Sequence, residues 1–390
     1  METLRILIWS PTGCGSHYSG PAISTYRLIR EVVKNAEVEI TLAHGSSVQD
    51  QDDGHFRRII KMPRVDIVGN RILSYARQVR FLVASYSWMR KNYREFDVMF
   101  TPASNILTLL PSMHAMLMGI PVVGRVAAAG TELYDNGKGR TMMRLSSRRA
   151  SLISRLSSVL AISREIQERL YLLGVPPEKV IYFPNSVDCL RFRPADPTEK
   201  SNARRRFGIP ADARIVVLLV GAVTRRKGQH LLVQALSDLP ANVHLLLVGP
   251  AREAEYSSLL ASSINANGLA GRVHRCGHIE DVQEAYYASD IFALPSTDEG
   301  MPNALVEAMS AGLACIGTQI SGISELLDEE RGIIVKRDAG AIAEAIGRYL
   351  EAPSLMKWHA DSGRMYVTTH QNSKIAAGKF YDLLLEASTK

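Results

Sequence analysis

The stretch from Ser289 to Ala311, SDIFALPSTDEGMPNALVEAMSA, decides the reading. Its apolar run Ile291–Leu294 is a strand, ended by Pro295. The polar loop to Gly300 then leads into a helix that starts near Pro302 or Asn303. Proline suits a first helical turn. The amides of Asn303, Ala304 and Leu305 point out of that helix start, where the dipole is positive, which makes a site for a diphosphate. Glu299 stands in the loop ahead of the helix, and Glu307 lies within it. Carboxylates suit sugar hydroxyls, because they accept hydrogen bonds from neighbouring OH groups. Two solvated acids near a helix start, where acids are stabilised in any case, are the alternative, and taken alone that reading wins.

A second stretch, Leu219–Leu236, reads LVGAVTRRKGQHLLVQAL. A buried strand ends at Gly221. A turn carrying Arg225, Arg226 and Lys227 leads through Gly228 into a helix. Cations gathered at the carboxyl end of a strand can neutralise a leaving diphosphate without a metal; an exposed basic turn is the alternative. No Walker A pattern is present. A third stretch, Ser10–Ala22 (SPTGCGSHYSGPA), is a glycine-rich loop between strand and helix. Gly13 and Gly15 begin a GxG, but Tyr18 stands where the dinucleotide fingerprint needs its last glycine.

Around these stretches, short apolar β-branched runs alternate with helical patterns along the whole chain. Strands are expected at Leu4–Ser10, Val38–His44, Asp97–Pro102, Pro121–Val126, Val159–Ser163 and Val180–Pro184. Six more are expected at Ile215–Gly221, His244–Gly249, Arg272–Cys276, Ile291–Pro295, Ala314–Thr318 and Gly332–Val335. Such alternation predicts an α/β chain of two doubly wound, Rossmann-like domains with parallel sheets covered on both faces. The polar, basic, proline-containing segment Arg191–Arg206 reads as a linker followed by a short helix. The domains are expected at 1–190 and 191–364, with a C-terminal helix within 365–390 completing the first.

Composition narrows the classes. With 46% apolar and 22% charged residues, the chain can build ordinary cores and is not disordered. The cysteines Cys14, Cys189, Cys276 and Cys315 are scattered, so reduced thiols in a cytoplasmic protein are expected. No secretory signal is visible at the start. The run Ile106–Gly124, interrupted by Pro111, Ser112 and His114, reads as a buried helix leading into a strand.

The net charge of +7 is uneven: residues 1–190 carry 24 Lys and Arg against 16 Asp and Glu, residues 191–390 carry 22 against 23. No nucleic-acid module accompanies the basic half, so an anionic substrate or membrane surface is the favoured partner. Basic and apolar residues interleave in Lys138–Arg155 and Asn70–Tyr93, as in helices that lie on anionic membranes; an ordinary surface helix is the alternative. Asp50-Gln51-Asp52 spells D-x-D within a polar loop and reads as a solvated turn.

Together these segments resemble the retaining glycosyltransferases of family 4 (group 1), which have the GT-B fold. EGMPNALVEAM matches that family's E-x7-E motif through Glu299 and Glu307. VGAVTRRKGQ resembles its strand–loop–Lys-Gly motif. FPNSVDCLRFRP (Phe183–Pro194) resembles its crossover into the second domain. SGPAISTYRLIREV (Ser19–Val32) resembles its N-terminal loop and helix, and ISGISELLDEERGIIV (Ile320–Val335) the segment after the E-x7-E helix. The resemblance implies a metal-independent, retaining transfer of a sugar from a nucleotide-sugar donor, a UDP- or GDP-sugar, bound between two domains that face across a cleft. Glu307 would hold the ribose, and Glu299 with the backbone of Gly300, Met301, Pro302 and Asn303 the donor sugar. Lys227 would pair with the diphosphate, and the backbone at Gly277, His278 and Ile279 would face the base. Gly221 joins the donor set, and Gly15 or Gly20 would approach the donor phosphates from the first domain.

Two departures stand out. Ala222 replaces the family's usual arginine, and Arg225 or Arg226 could supply that charge. GRVAAAGTEL (Gly124–Leu133) lacks the histidine of many members, which leaves Arg125, Gly130 and Glu132 as acceptor-side candidates. The acceptor is expected to be a lipid-linked or surface-polysaccharide intermediate, with a peripheral place at the inner face of the cytoplasmic membrane. A same-fold nucleotide-sugar epimerase and a non-catalytic sugar-nucleotide-binding homologue are the alternatives.

Overall fold

The computed structural model describes residues 3–14, 20–46, 54–65, 71–127 and 148–389. The chain divides into two compact units, Met1–Ser186 with Ser373–Lys390, and Val187–Asn372. The first unit holds seven strands: β1 (Leu4–Trp9), β2 (Val38–His44), β3 (Arg58–Lys61), β4 (Val98–Thr101), β5 (Val122–Val126), β6 (Ser158–Ala161) and β7 (Val180–Tyr182). All pair in parallel, in the order β3-β2-β1-β4-β5-β6-β7. The central strands β4 and β5 are buried throughout, β5 with the charged Arg125 among its enclosed residues. The sequence reading missed β3. With only two apolar residues between charged ends, this short edge strand carries no periodic signal.

The helices of this unit include α1 (Gly20–Asn35), α2 (Arg71–Asn92), α3 (Ile106–Leu117) and α4 (Arg164–Leu172). Asn105 caps α3, its side chain accepting from Leu107 N at 2.9 Å, and Ser163 caps α4 through Ile166 N at 3.2 Å. One expectation is corrected at α3. The helix is buried on one face only, through Thr108, Leu109, Pro111, Ser112 and Ala115, while Ile106, Leu110 and Leu117 are exposed.

The second unit holds β8 (Ile215–Val220), β9 (Val243–Val248), β10 (Val273–Gly277), β11 (Ile291–Leu294), β12 (Ala314–Thr318) and β13 (Ile333–Val335), in the order β10-β9-β8-β11-β12-β13 and again parallel. Its helices are α5 (Pro197–Arg206), α6 (Gln229–Ser237), α7 (Ala254–Ala266), α8 (Gln283–Tyr287), α9 (Asn303–Ser310), α10 (Ser321–Ser324), α11 (Ala339–Glu351) and α12 (Pro353–His370). The linker helix α5 opens with a capping box, Asp196 with Glu199. Asp290 fixes α5 to the sheet, accepting from Lys200 Nζ at 2.6 Å, Arg204 Nη2 at 2.7 Å and Val216 N at 2.7 Å.

The helical C-terminus is split. Helix α12 belongs to the second unit, and only α13 (Ser373–Ser388) returns to the first, so the crossings fall after Ser186 and after Asn372 rather than after residues 190 and 364. Val187 N donates to Gln371 O at 2.9 Å, which pairs the two ends of the second unit. In the first unit's core, Phe380 of α13 meets Phe100 of β4 edge-on, with ring centroids 4.8 Å apart.

Four histidines of the second unit are held below their usual value of 6.5, chiefly by burial: His230, His244, His274 and His359. His244 and His274 stack across β9 and β10, with Nδ1 and Nε2 3.1 Å apart. Folding keeps them neutral, so their contribution is complete above 6.5 and is lost as the pH falls below it. The thermal unfolding midpoint should therefore drop as the pH falls from about 6.5 towards about 5, and less steeply in His274→Gln. Equal slopes in the two proteins would count against this origin.

Candidate active site

Strand order reverses between β8 and β11. The chain runs from β8 outward through β9 to β10, then returns to β11 and proceeds to β12 and β13 on the other side. Loops leaving two such strands diverge and open a crevice at the carboxyl edge. The loop 221–228 leaves β8 and the loop 295–302 leaves β11. They therefore bring together residues about 70 positions apart in the sequence.

Their meeting point is the Glu299 carboxylate. Its Oε1 lies 2.6 Å from Lys227 Nζ and 2.7 Å from Arg226 Nη1, and it accepts from Ser296 Oγ at 2.8 Å. Lys227 and Glu299 are nearly enclosed, whereas the Arg226 side chain is 47% exposed. Removing one partner of an enclosed pair costs about 3–5 kcal/mol, and a half-exposed pair contributes about 1 kcal/mol or less. The Lys227–Glu299 pair is therefore the anchor, and Arg226 is the adjustable member. Arg225 turns away: its backbone N–H reaches Glu253 and its guanidinium lies over the Tyr256 ring. Of the two arginines beside the Ala222 position, only Arg226 faces the carboxylate. Among the described residues Glu299 Oε2 makes no hydrogen bond.

Close backbone approaches hold these loops. Gly228, at φ +74°, sits where a Cβ would stand 2.4 Å from Pro295 O. Gly322, at the start of α10, sits where a Cβ would stand 2.4 Å from both Glu299 O and Gly300 O. Arg337, beyond β13, donates from Nε to Pro295 O at 3.0 Å and from Nη2 to Arg225 O at 3.1 Å, tying the two loops together. Thr318 Oγ1 donates to Ser296 O at 2.6 Å. Sequence reasoning missed Ser296, Thr318, Gly322 and Arg337. Of these, only Ser296 lay inside the stretch that carried the reading.

Helix α9 starts at Asn303 with Pro302 as its N-cap, which places no side-chain acceptor on the first turn. Met301 and Pro302 are buried, while Gly300, Asn303 and Ala304 are half-buried. One amide leaves the expected set: Leu305 N–H turns back to Pro302 O at 3.1 Å. Glu307 is buried on α9, with Oε2 accepting from Tyr286 Oη at 2.6 Å. Tyr286 is another residue the sequence reading did not single out; its ring packs edge-on against Phe192.

The other expected residues are spread more widely. Gly221 follows β8, its N–H bonded to Val248 O at 2.8 Å. His278 is exposed and Ile279 half-buried after β10, two strands from β8 along the same edge. In the first unit, Gly20 opens α1. Arg125 is buried in β5, donating to Ser24 Oγ at 3.1 Å and to Asn185 Oδ1, so it is part of that unit's interior. Gly15, Gly130, Glu132, the D-x-D at 50–52 and residues 138–147 of the basic segment lie outside the described residues.

Tyr286→Phe should remove the donor to buried Glu307 and lower stability by about 1–3 kcal/mol, the range for a buried acceptor that loses its bond. An unchanged unfolding midpoint would show that this bond does not hold the carboxylate.

Comparisons with known proteins agree with this geometry. Residues 18–191 match the family model described as Glycosyltransferase Family 4, and residues 214–352 match the one described as Glycosyl transferases group 1. TuaC of Bacillus subtilis, named as a teichuronic acid biosynthesis glycosyltransferase, is 32% identical over 198 residues, 50% of this chain and 46% of its own length. LpsE of Rhizobium meliloti, named as a lipopolysaccharide core biosynthesis glycosyltransferase, is 32% identical over 162 residues, 41% of this chain and 46% of its own. The chain spans about half the length of the curated relatives it matches. The crystal structure of Anabaena HepE in complex with UDP shares its fold, with a TM-score of 0.80 at 19% identity over 98% of this chain and 100% of that one. By two family matches that together span both halves of the chain, and by its GT-B fold, the chain is similar to the family 4, group 1 glycosyltransferases.

Proposed function

We propose that this chain is a retaining glycosyltransferase that uses no metal and moves a sugar from a nucleotide-sugar donor, a UDP- or GDP-sugar, to a lipid-linked or surface-polysaccharide acceptor. The convergence of Lys227, Arg226 and Ser296 on Glu299 beside the start of α9 carries the reading. Relatives named for teichuronic acid and lipopolysaccharide core biosynthesis, and a fold neighbour holding UDP, support the substrate classes. The place of work is proposed as the inner face of the cytoplasmic membrane, with the chain bound peripherally.

In this mechanism the donor diphosphate lies against Lys227, Arg226 and the α9 amides of Asn303 and Ala304. As the bond from the anomeric carbon to the phosphate oxygen breaks, negative charge grows on the diphosphate. The two cations and the helix terminus are already placed to receive it, which is the largest kind of electrostatic contribution to catalysis. Glu299 Oε2 accepts hydroxyls of the donor sugar, and Glu307, oriented by Tyr286, accepts the ribose hydroxyls. The acceptor oxygen attacks from the face the diphosphate leaves, and its proton passes to the departing phosphate oxygen. The anomeric configuration is thereby kept.

Lys227→Ala should lower kcat about 10²-fold or more, the loss expected when one such contact is removed; unchanged kinetics would remove Lys227 from this role. Glu307→Ala should instead raise the KM for donor. A thermal-shift panel of UDP, GDP, ADP and dTDP, with and without divalent metal, should give one clear stabilising nucleotide. Saturation at 100 times Kd adds about 2.7 kcal/mol. Silence across the panel would overturn the donor site, and binding without turnover would favour the non-catalytic reading that Ala222 suggests.

A further inference from the structure

We propose that Glu299 makes the site favour the sugar-bearing donor over the free nucleoside diphosphate left after transfer, by standing in for an anion between Arg226 and Lys227 until a donor sugar engages it. The proposal rests on the donor site proposed above and gives its first acid a second task. One carboxylate oxygen does all the holding: Glu299 Oε1 lies 2.6 Å from Lys227 Nζ and 2.7 Å from Arg226 Nη1, and accepts from Ser296 Oγ at 2.8 Å. The Lys227 and Glu299 side chains are 11% and 10% exposed, so water and salt screen their pairing little. A Cβ on Gly221 would stand 3.2 Å from Lys227 Cε, so the lysine stem is packed against the backbone and its ammonium has little room to swing away. Arg226 Nη1 is engaged a second time, by Asp298 O. Arg225 is turned towards Glu253 and Tyr256, so the two remaining cations of the loop 221–228 both lie on Glu299.

An anion that enters here competes with Glu299 for those cations. Two like charges that share partners oppose each other, and the opposition grows as water is excluded. A free nucleoside diphosphate adds negative charge beside a carboxylate whose partners it takes, and it brings no new hydrogen bond to that carboxylate. A donor carries the same two phosphates and a sugar as well. Glu299 Oε2, which makes no hydrogen bond among the described residues, is the acceptor that the sugar hydroxyls meet. Those bonds to a charged acceptor offset what the phosphates draw from Oε1. The donor diphosphate is also esterified at both ends, so it has one ionisable oxygen fewer than the free diphosphate and opposes Glu299 less. The carboxylate therefore penalises the spent nucleotide more than the donor, which favours release after transfer. Without it, the two cations would rank the ligands by charge alone and hold the product more tightly.

The test is isothermal titration calorimetry of the full chain and of Glu299→Gln, which keeps the shape of the side chain and removes its charge. The probes are inorganic pyrophosphate, UDP, GDP, UDP-glucose and GDP-mannose, without metal. Pyrophosphate reads the two cations without needing the right base or sugar. Glu299→Gln should bind pyrophosphate, and the nucleoside diphosphate that fits the site, about tenfold more tightly. The matching nucleotide sugar should bind no more tightly than before. A carboxylate with a structural role alone would instead weaken every ligand together when replaced. Glu299→Ser, which leaves room for water beside Lys227, repeats the measurement should the glutamine variant fail to fold. Adding Lys227→Met should abolish the gain; a gain that survives it would place the anion elsewhere and overturn the proposal. So would a folded variant that binds pyrophosphate no more tightly than the wild type, or one that gains as much for the nucleotide sugar as for the free diphosphate. If no probe binds any of these proteins, the donor site falls and this proposal with it. If the probes bind and only their ordering fails, the donor site stands and this proposal alone falls.

Discussion

The reversal of strand order between β8 and β11 is the constraint around which the second unit is arranged. Parallel strands send every exit loop to the same edge of the sheet, and at this one place the two neighbouring exits part. The remaining devices of the site restrain what that parting creates. Gly228 lets one loop touch the other, Gly322 brings α10 against the backbone ahead of α9, and Arg337 holds both loops through their carbonyls. Each acts on backbone, so the loops are fixed independently of the charged side chains they carry.

Those side chains pose an electrostatic problem that Glu299 resolves. Arg226 and Lys227 are adjacent in sequence and would repel if aimed at one point. A carboxylate oxygen between them, itself donated to by Ser296, makes their convergence favourable. The difference in exposure divides the work. Lys227 is confined by its surroundings, while Arg226 is half-exposed and held through Nη1 to both Glu299 Oε1 and Asp298 O.

Much of this was legible in the sequence, for physical reasons. A fully buried parallel strand is an uninterrupted apolar run, so β8 and β11 announced themselves, and the helix start after β11 was marked by its proline. Glu299, Glu307 and Lys227 were legible only through the resemblance of their segments to family motifs, because acids near a helix start and a basic turn are each ordinary on their own. Arg337 and Tyr286 were not legible: each acts through tertiary contact with a carbonyl or a carboxylate on another element, and no local pattern signals that. Helix α3 misled because it is apolar nearly all round, and periodicity cannot say which side of such a helix is covered. The break at Gln371–Asn372 was hidden within a stretch that is helical on both sides of it.

The split of the first unit between the two ends of the chain bears on the order in which a ribosome delivers it. Ala377, Phe380, Leu384 and Ala387 complete a core whose other buried members lie before Ser186, yet they are translated after the whole of the second unit. Domains usually become foldable in the order they emerge. Here the later one, continuous from Val187 to Asn372, is whole first. The earlier one waits with an open flank of apolar surface, so a nascent chain stalled just short of Ser373 exposes hydrophobic core that chaperones recognise.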